Sequence, residues 1–212
     1  MSDAAILMNK KPLLCFTGMP GSGKSYASKI MKTEGFKIFE MSSVVTNLMK
    51  KEGVEIDSYS MRDFSTKLRT RKGKDIVSKM VAREISGIAG NIAVFGVRSN
   101  TEVEYFKKHI KNRKVYLIAV TAPAKTRYKR IIGAYRDRED EIKNYKEFVW
   151  RDNKETKWGL VMAIAAADIV VANSGSRREF SNSIRKVARY FMSLSEDGKP
   201  ALGIQNKVKS KR

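Results

Sequence analysis

Apolar residues along this chain come in two patterns. Short unbroken runs alternate with longer stretches in which they recur every three to four positions. Strands buried on both faces and amphipathic helices produce that alternation. The short runs predict strands over 13–17, 37–40, 91–95, 114–120 and 169–172. The periodic stretches predict a helix over about 24–32 with Ala27, Ile30 and Met31 inward, and a second helix carrying Val44, Val45, Leu48 and Met49. Further helices are predicted over 101–109, from Pro123 onward, around Phe148–Asp152, over 163–167, and at the end with Ile184, Val187, Ala188, Tyr190 and Phe191 inward. Gly35 and Gly53 close the first two helices, and Ser42 or Ser43 supplies the cap between them.

One segment departs from simple alternation. From 58 to 90 the pattern stays helical, with Phe64 and Leu68 on one turn and Ile76, Val77, Met80 and Val81 on another. That is long for a crossover between neighbouring strands and reads as an inserted helical cap. Arg62, Lys67, Arg69, Arg71, Lys72 and Lys74 give it a basic face.

Between the first strand and first helix stands Gly18-Met19-Pro20-Gly21-Ser22-Gly23-Lys24-Ser25, which matches G-x-x-x-x-G-K-[ST]. Strand, glycine loop, helix is the context in which backbone N–H groups and a helix N-terminus cradle a polyphosphate. Gly18, Pro20, Gly21, Ser22, Gly23, Lys24, Ser25 and Tyr26 are the candidate nucleotide-binding residues. Lys24 reaches for the β- and γ-phosphates and the Ser25 hydroxyl for Mg²⁺. A plain glycine turn is the alternative, and both flanks argue against it. Arg98, just past the strand over 91–95, lies where parallel sheets place ligands and is a candidate phosphate fork; a surface arginine is its bland reading. The mixed-charge run from Tyr135 to Glu141 reads either as a lid that lays Arg136 and Arg138 on a transferring phosphoryl group or as a solvated helix end.

Length and charge refine this picture. The 212 residues suit one α/β domain with a small insertion. Forty-three Lys+Arg against 22 Asp+Glu give a net charge of +21, more than a nucleotide pocket needs. Either the surface is simply basic or it meets RNA or another polyanion. The single cysteine, Cys15, falls in the first strand and reads as core; no disulfide can form within the chain, which fits a reducing, cytoplasmic setting. His109, the single histidine, has lysines around it and no metal-ligand spacing. No signal-peptide or membrane-spanning pattern is present. Residues 1–12 read as a flexible leader, 13–193 as the folded domain, and 194–212 as a flexible basic tail.

The motifs also occur in a telling order. The Lys24 loop is followed by the helical cap, then Gly96-Val97-Arg98-Ser99 with Glu102-Val103-Glu104-Tyr105-Phe106, then Arg127-Tyr128-Lys129-Arg130, Arg151-Asp152, and Ala167-Asp168 with Asn173 beyond. From 13 to 191 the chain resembles an archaeal family of P-loop proteins related to adenylate kinase and dephospho-CoA kinase. The resemblance implies a three-layer α/β P-loop fold with a five-stranded parallel sheet of nucleoside-monophosphate-kinase type. It also implies an acceptor-binding helical insertion over about 42–90, a short lid over about 134–146, ATP with Mg²⁺ as donor, and a nucleotide-like acceptor; in a phosphotransferase Arg69 and Arg98 are the candidates to hold the acceptor's phosphate.

Two acids of the family pattern are replaced here: Phe95 stands at the strand end before Gly96, and Ser43 follows Met41-Ser42. Ala134 also falls where relatives often carry a lid arginine. The replacements point to slow phosphoryl transfer, with Asp57, Asp63 or Asp168 as substitutes for the missing carboxylates. The alternative is a nucleotide-binding protein of weak or no catalytic activity, associated with RNA or the ribosome through its basic surface and tail. A slow ATPase switch is a third reading.

Overall fold

The computed structural model describes residues 11–134, 142 and 144–194. Most of the predicted leader, lid and tail, with Arg136 and Arg138, lies outside the described residues. Five strands, β1 (Leu13–Thr17), β2 (Lys37–Glu40), β3 (Ile92–Phe95), β4 (Val115–Thr121) and β5 (Ile169–Ala172), form one sheet in the order β2-β3-β1-β4-β5, all parallel. The three-layer α/β fold and five-stranded parallel sheet are those expected.

Strand β1 sits at the centre and is fully buried, which is why its sequence is apolar without alternation. Successive residues point to opposite faces. Leu13 and Cys15 join Val94 and Leu117 on one side; Leu14 and Phe16 join Phe95, Ile118 and Val120 on the other. The first face is covered by α2 (Met41–Lys51), α4 (Ile76–Ile85) and α5 (Asn100–His109), and the second by α1 (Lys24–Thr33) and α9 (Arg177–Met192). Helix α3 (Ser58–Lys72) rests its Phe64 and Leu68 on the first cluster. Helices α6 (Ala124–Ala134) and α7 (Tyr145–Lys157) enclose a smaller core of Ile131, Ile142 and Phe148. A short α8 (Leu160–Ala165) leads to β5.

Three local expectations change. Helix α2 starts at Met41, two residues earlier than a Ser42 cap allows, and its N-cap Glu40 makes no side-chain cap bond. The continuous pattern over 58–90 is two helices broken at Gly73, whose φ of +99° ends α3. Helix α8 begins three residues before the predicted 163, because Gly159 turns the chain at φ +92°.

Candidate nucleotide-binding cleft

The loop over 18–25 leaves the carboxyl end of β1 and turns into α1. Its glycines are sterically required. Gly18 has φ +145° and a side chain there would run into the Val120 carbonyl oxygen; Gly23, at φ +112°, backs directly onto the Asn173 amide. Asn173 donates from Nδ2 to the Ser22 carbonyl at 2.7 Å, and Arg130 donates to the Asn173 carbonyl at 2.9 Å. Arg127, only 6% exposed, donates to the Pro20 carbonyl at 3.1 Å and forms a two-pronged pair with Asp152. Residues from β5's exit, α6 and α7 thus fix the loop from outside.

Lys24 is folded into its own loop, donating to the carbonyls of Gly18 at 2.6 Å and Met19 at 3.1 Å. Burial pushes its ammonium down from 10.5 to about 8; Glu155 opposes the fall, while Arg98, Arg151 and Arg127 add to it. The Ser22 hydroxyl is buried without a hydrogen-bond partner, and Ser25 is exposed at the cleft. Tyr26 also lines the cleft, its hydroxyl 2.9 Å from the Ser181 Oγ and its ring under Arg177.

A cleft of about 550 Å³ opens in front of the loop and runs to α3. Arg69, Arg98, Arg130 and Arg151 line it together with Lys24. Arg130 keeps one terminal nitrogen, and Arg151 its Nε, buried with no hydrogen-bond partner. Arg69 is held by the fully buried Glu102 at 3.0 Å, which also accepts the Arg98 backbone N–H at 2.8 Å. Both guanidiniums lie over the Trp158 ring, at 5.7 and 5.2 Å, so one indole and one carboxylate aim two arginines at the cleft.

The acids are not where the sequence reading put them. Asp57 caps α3 through the Tyr59 and Ser60 N–H groups, Asp63 pairs with Lys67 on the surface, and Asp168 accepts the Leu117 N–H at the far edge of the sheet. None of the three lines the cleft. Phe95 stacks on Phe16 with ring centroids 4.3 Å apart, and Ser43 is exposed. Two other carboxylates face the cleft: Glu40, in register with Phe95 on the neighbouring strand, and Glu155, only 4% exposed, on α7. Glu40 was legible as the last residue of a predicted strand; Glu155 was marked by its spacing of four from Arg151, which puts both on one helix face. Oxygen donors from Ser25 and Glu40 suit Mg²⁺, which takes oxygen ligands. His109 lies exposed on α5 against Tyr105, and the described residues hold no cluster of three metal-ligating side chains. Burial raises the Cys15 thiol far above its usual range, as a core residue requires.

Comparisons with known proteins bear on the family and the fold. A family model described as an AAA domain matches residues 14–155. A UPF0200 protein of Saccharolobus islandicus is 38% identical over 177 residues, covering 82% of this chain and 91% of the relative. A UPF0200 protein of Pyrococcus horikoshii is 30% identical over 184 residues, covering 85% of this chain and 98% of the relative. Among solved structures, TT1252 from Thermus thermophilus superposes with a TM-score of 0.58 at 15% identity, covering 85% of this chain and 98% of that one. Shikimate kinase from Acinetobacter baumannii, in complex with shikimate, gives 0.55 at 13% identity, covering 89% and 97%. Those two likenesses extend to the fold, a kinase-like P-loop architecture. The sequence matches go further: this chain belongs to the archaeal UPF0200 family and carries that family's P-loop domain.

Proposed function

We propose that the protein is a nucleotide-type phosphotransferase, moving the γ-phosphoryl group of ATP to a nucleotide-like acceptor. The observation that carries this reading is the set of donors left without an outside partner around one cleft. Lys24 bonds only to its own loop, and Arg130 and Arg151 keep buried nitrogens unpaired. Buried donors without partners are costly, and a polyphosphate satisfies all of them at once. ATP lies along residues 18–25, with the loop amides and Lys24 on its phosphates. Ser25 and Glu40 would hold Mg²⁺ through their oxygens, and the ion would supply positive charge against the phosphates. Arg69 and Arg98 hold the acceptor's phosphate. Such a reaction needs positioning and charge neutralisation more than covalent chemistry, so it survives replacement of the family's acids at 43 and 95, at reduced speed.

The test is ADP formation from Mg-ATP with AMP and other nucleoside monophosphates as acceptors. Slow turnover that depends on both ATP and acceptor is expected. Binding of ATP with no phosphoryl transfer to any acceptor or to water contradicts the reading.

A second reading rests on charge. The net +21 exceeds what the cleft uses, and Trp150 is 49% exposed between Arg62 and Lys154, each over its ring. An aromatic face flanked by cations suits a nucleic-acid base. In this reading the protein binds nucleotide with little turnover and sits on RNA or a ribonucleoprotein. RNA affinity that falls steeply between low and high salt supports it, and salt-independent or absent binding contradicts it.

A further inference from the structure

Both tryptophans of the chain lie against arginines of the helical insertion. Arg62 and Arg69, about two turns apart on α3, sit over the rings of Trp150 and Trp158 at 5.5 and 5.7 Å. Trp158 carries a second cation. The Arg98 guanidinium, from the loop after β3, is 5.2 Å from its ring centroid. One indole thus meets two guanidiniums that come from separate elements. Both arginines line the cleft, and Trp158 does not. The ring backs the arginines rather than facing a ligand.

Two guanidiniums drawn together repel, and more so where water is partly excluded. The nearby acids do not fix both of them. Glu102 pairs with the Arg69 side chain but takes only the backbone N–H of Arg98. Glu155 Oε2 lies 3.4 Å from Arg98 Nε, and no hydrogen bond orients that pair. The indole, by contrast, is firmly placed. Trp158 caps the end of α7, its N–H donating to the Lys154 and Glu155 carbonyls at 3.3 and 3.2 Å. Gly159 then turns the chain beside Ser99, at the end of the loop that carries Arg98.

Resting on the phosphotransferase reading, we infer that Trp158 is a positioning residue for the acceptor: it holds the Arg69 and Arg98 forks together so that both meet one phosphate group. A ring face attracts a cation without using up a hydrogen-bond donor, so guanidinium N–H groups stay available to phosphate oxygens. An acid in the same place would compete with the phosphate for those donors. Trp158 acts through the arginines and touches no substrate. It also joins the insertion, through Arg69, to the sheet side of the cleft, through Arg98. The acceptor subsite is therefore assembled before its ligand arrives, which lowers the ordering cost of binding.

The experiment uses full-length protein with Mg-ATP and AMP as probes and reads both turnover and indole emission. Trp158→Leu keeps apolar bulk without a ring, and Trp158→Phe keeps a ring face. With slow chemistry, KM reports binding. Trp158→Leu is expected to raise the KM for AMP by about 5–30-fold, the worth of two cation–π contacts, with the KM for ATP within about twofold of wild type. Trp158→Phe is expected to stay within about threefold of wild type for both, since phenylalanine also attracts a cation. A general loss of folding would lower kcat without this split. In Trp150→Phe protein, where Trp158 is the remaining indole, emission is expected to shift saturably with AMP, because phosphate neutralises the two cations beside the ring. Adenosine, which lacks the phosphate, leaves it unmoved. That titration needs neither Trp158 variant to fold. A Trp158→Leu protein with unchanged KM for AMP, equal rises in both KM values, a Trp158→Phe protein as impaired as the leucine variant, or emission unmoved by AMP overturns this assignment and leaves the transferase reading standing. ATP binding by wild type with no phosphoryl transfer to any acceptor overturns the transferase reading itself.

Discussion

Lys24 shows how one residue couples ligand, burial and pH. Without ligand its ammonium sits half-buried on two carbonyls, and burial lowers it to about 8. A triphosphate beside it favours the charged form, so the bound lysine titrates higher. Above about pH 8 the free protein must therefore take up a proton to bind, and affinity falls as pH rises; below it the lysine is already charged and affinity levels off. Phe95 carries a different lesson. Restoring the family's acid looks like a gain of function from sequence alone. Yet the ring is 1% exposed and stacked on Phe16. Phe95→Asp removes that stacking and puts a carboxylate against the core. We expect a loss of about 3–5 kcal/mol by chemical denaturation, the cost of deleting a buried aromatic. A Phe95→Asp protein as stable as wild type contradicts this packing account.

At the scale of elements, the loop depends on helices distant in sequence. Arg127 of α6 joins the Pro20 carbonyl to Asp152 of α7. Asp152→Ala leaves a nearly buried guanidinium without its carboxylate, expected to cost on the order of 3 kcal/mol. It also frees the loop, so ATP affinity drops in the same variant. Lost stability with unchanged ATP affinity would show that α6 does not hold the loop. The sequence displayed much of this level. Unbroken apolar runs marked β1, β3 and β4, because strands buried on both faces have no polar side to show, whereas the edge strands β2 and β5 keep exposed residues. The glycine spacing marked the phosphate loop, because its backbone admits no side chains at Gly18 and Gly23. The roles of charged helix residues were not legible. Arg127 and Lys129 look alike along the chain, yet Arg127 is 6% exposed and Lys129 faces solvent. The spacing of Glu155 from Arg151 put both on one helix face but did not say that this face meets the cleft. Which helical face meets the cleft is decided by packing between α6, α7 and the loop, and local periodicity does not carry that information.

At the scale of the molecule, one sheet edge gathers the loop ends of β1, β2 and β3 into a single basic cleft with two inward acids. Sheets of this kind bind ligands at the carboxyl ends of their strands, and the glycine loop and the arginines converge there. No helix among the described residues is long and apolar enough to cross a membrane. The central claim is that this cleft holds a polyphosphate through Lys24 and the loop amides. The most direct measurement is calorimetric titration of Mg-ATP into wild-type and Lys24→Ala protein, each at pH 7 and pH 9 in buffers of different ionisation enthalpy. We expect wild-type binding that is weaker at pH 9 and takes up a proton there, with both the affinity and the proton uptake lost in Lys24→Ala. Equal affinity in the two proteins, with no proton uptake in either, contradicts the account.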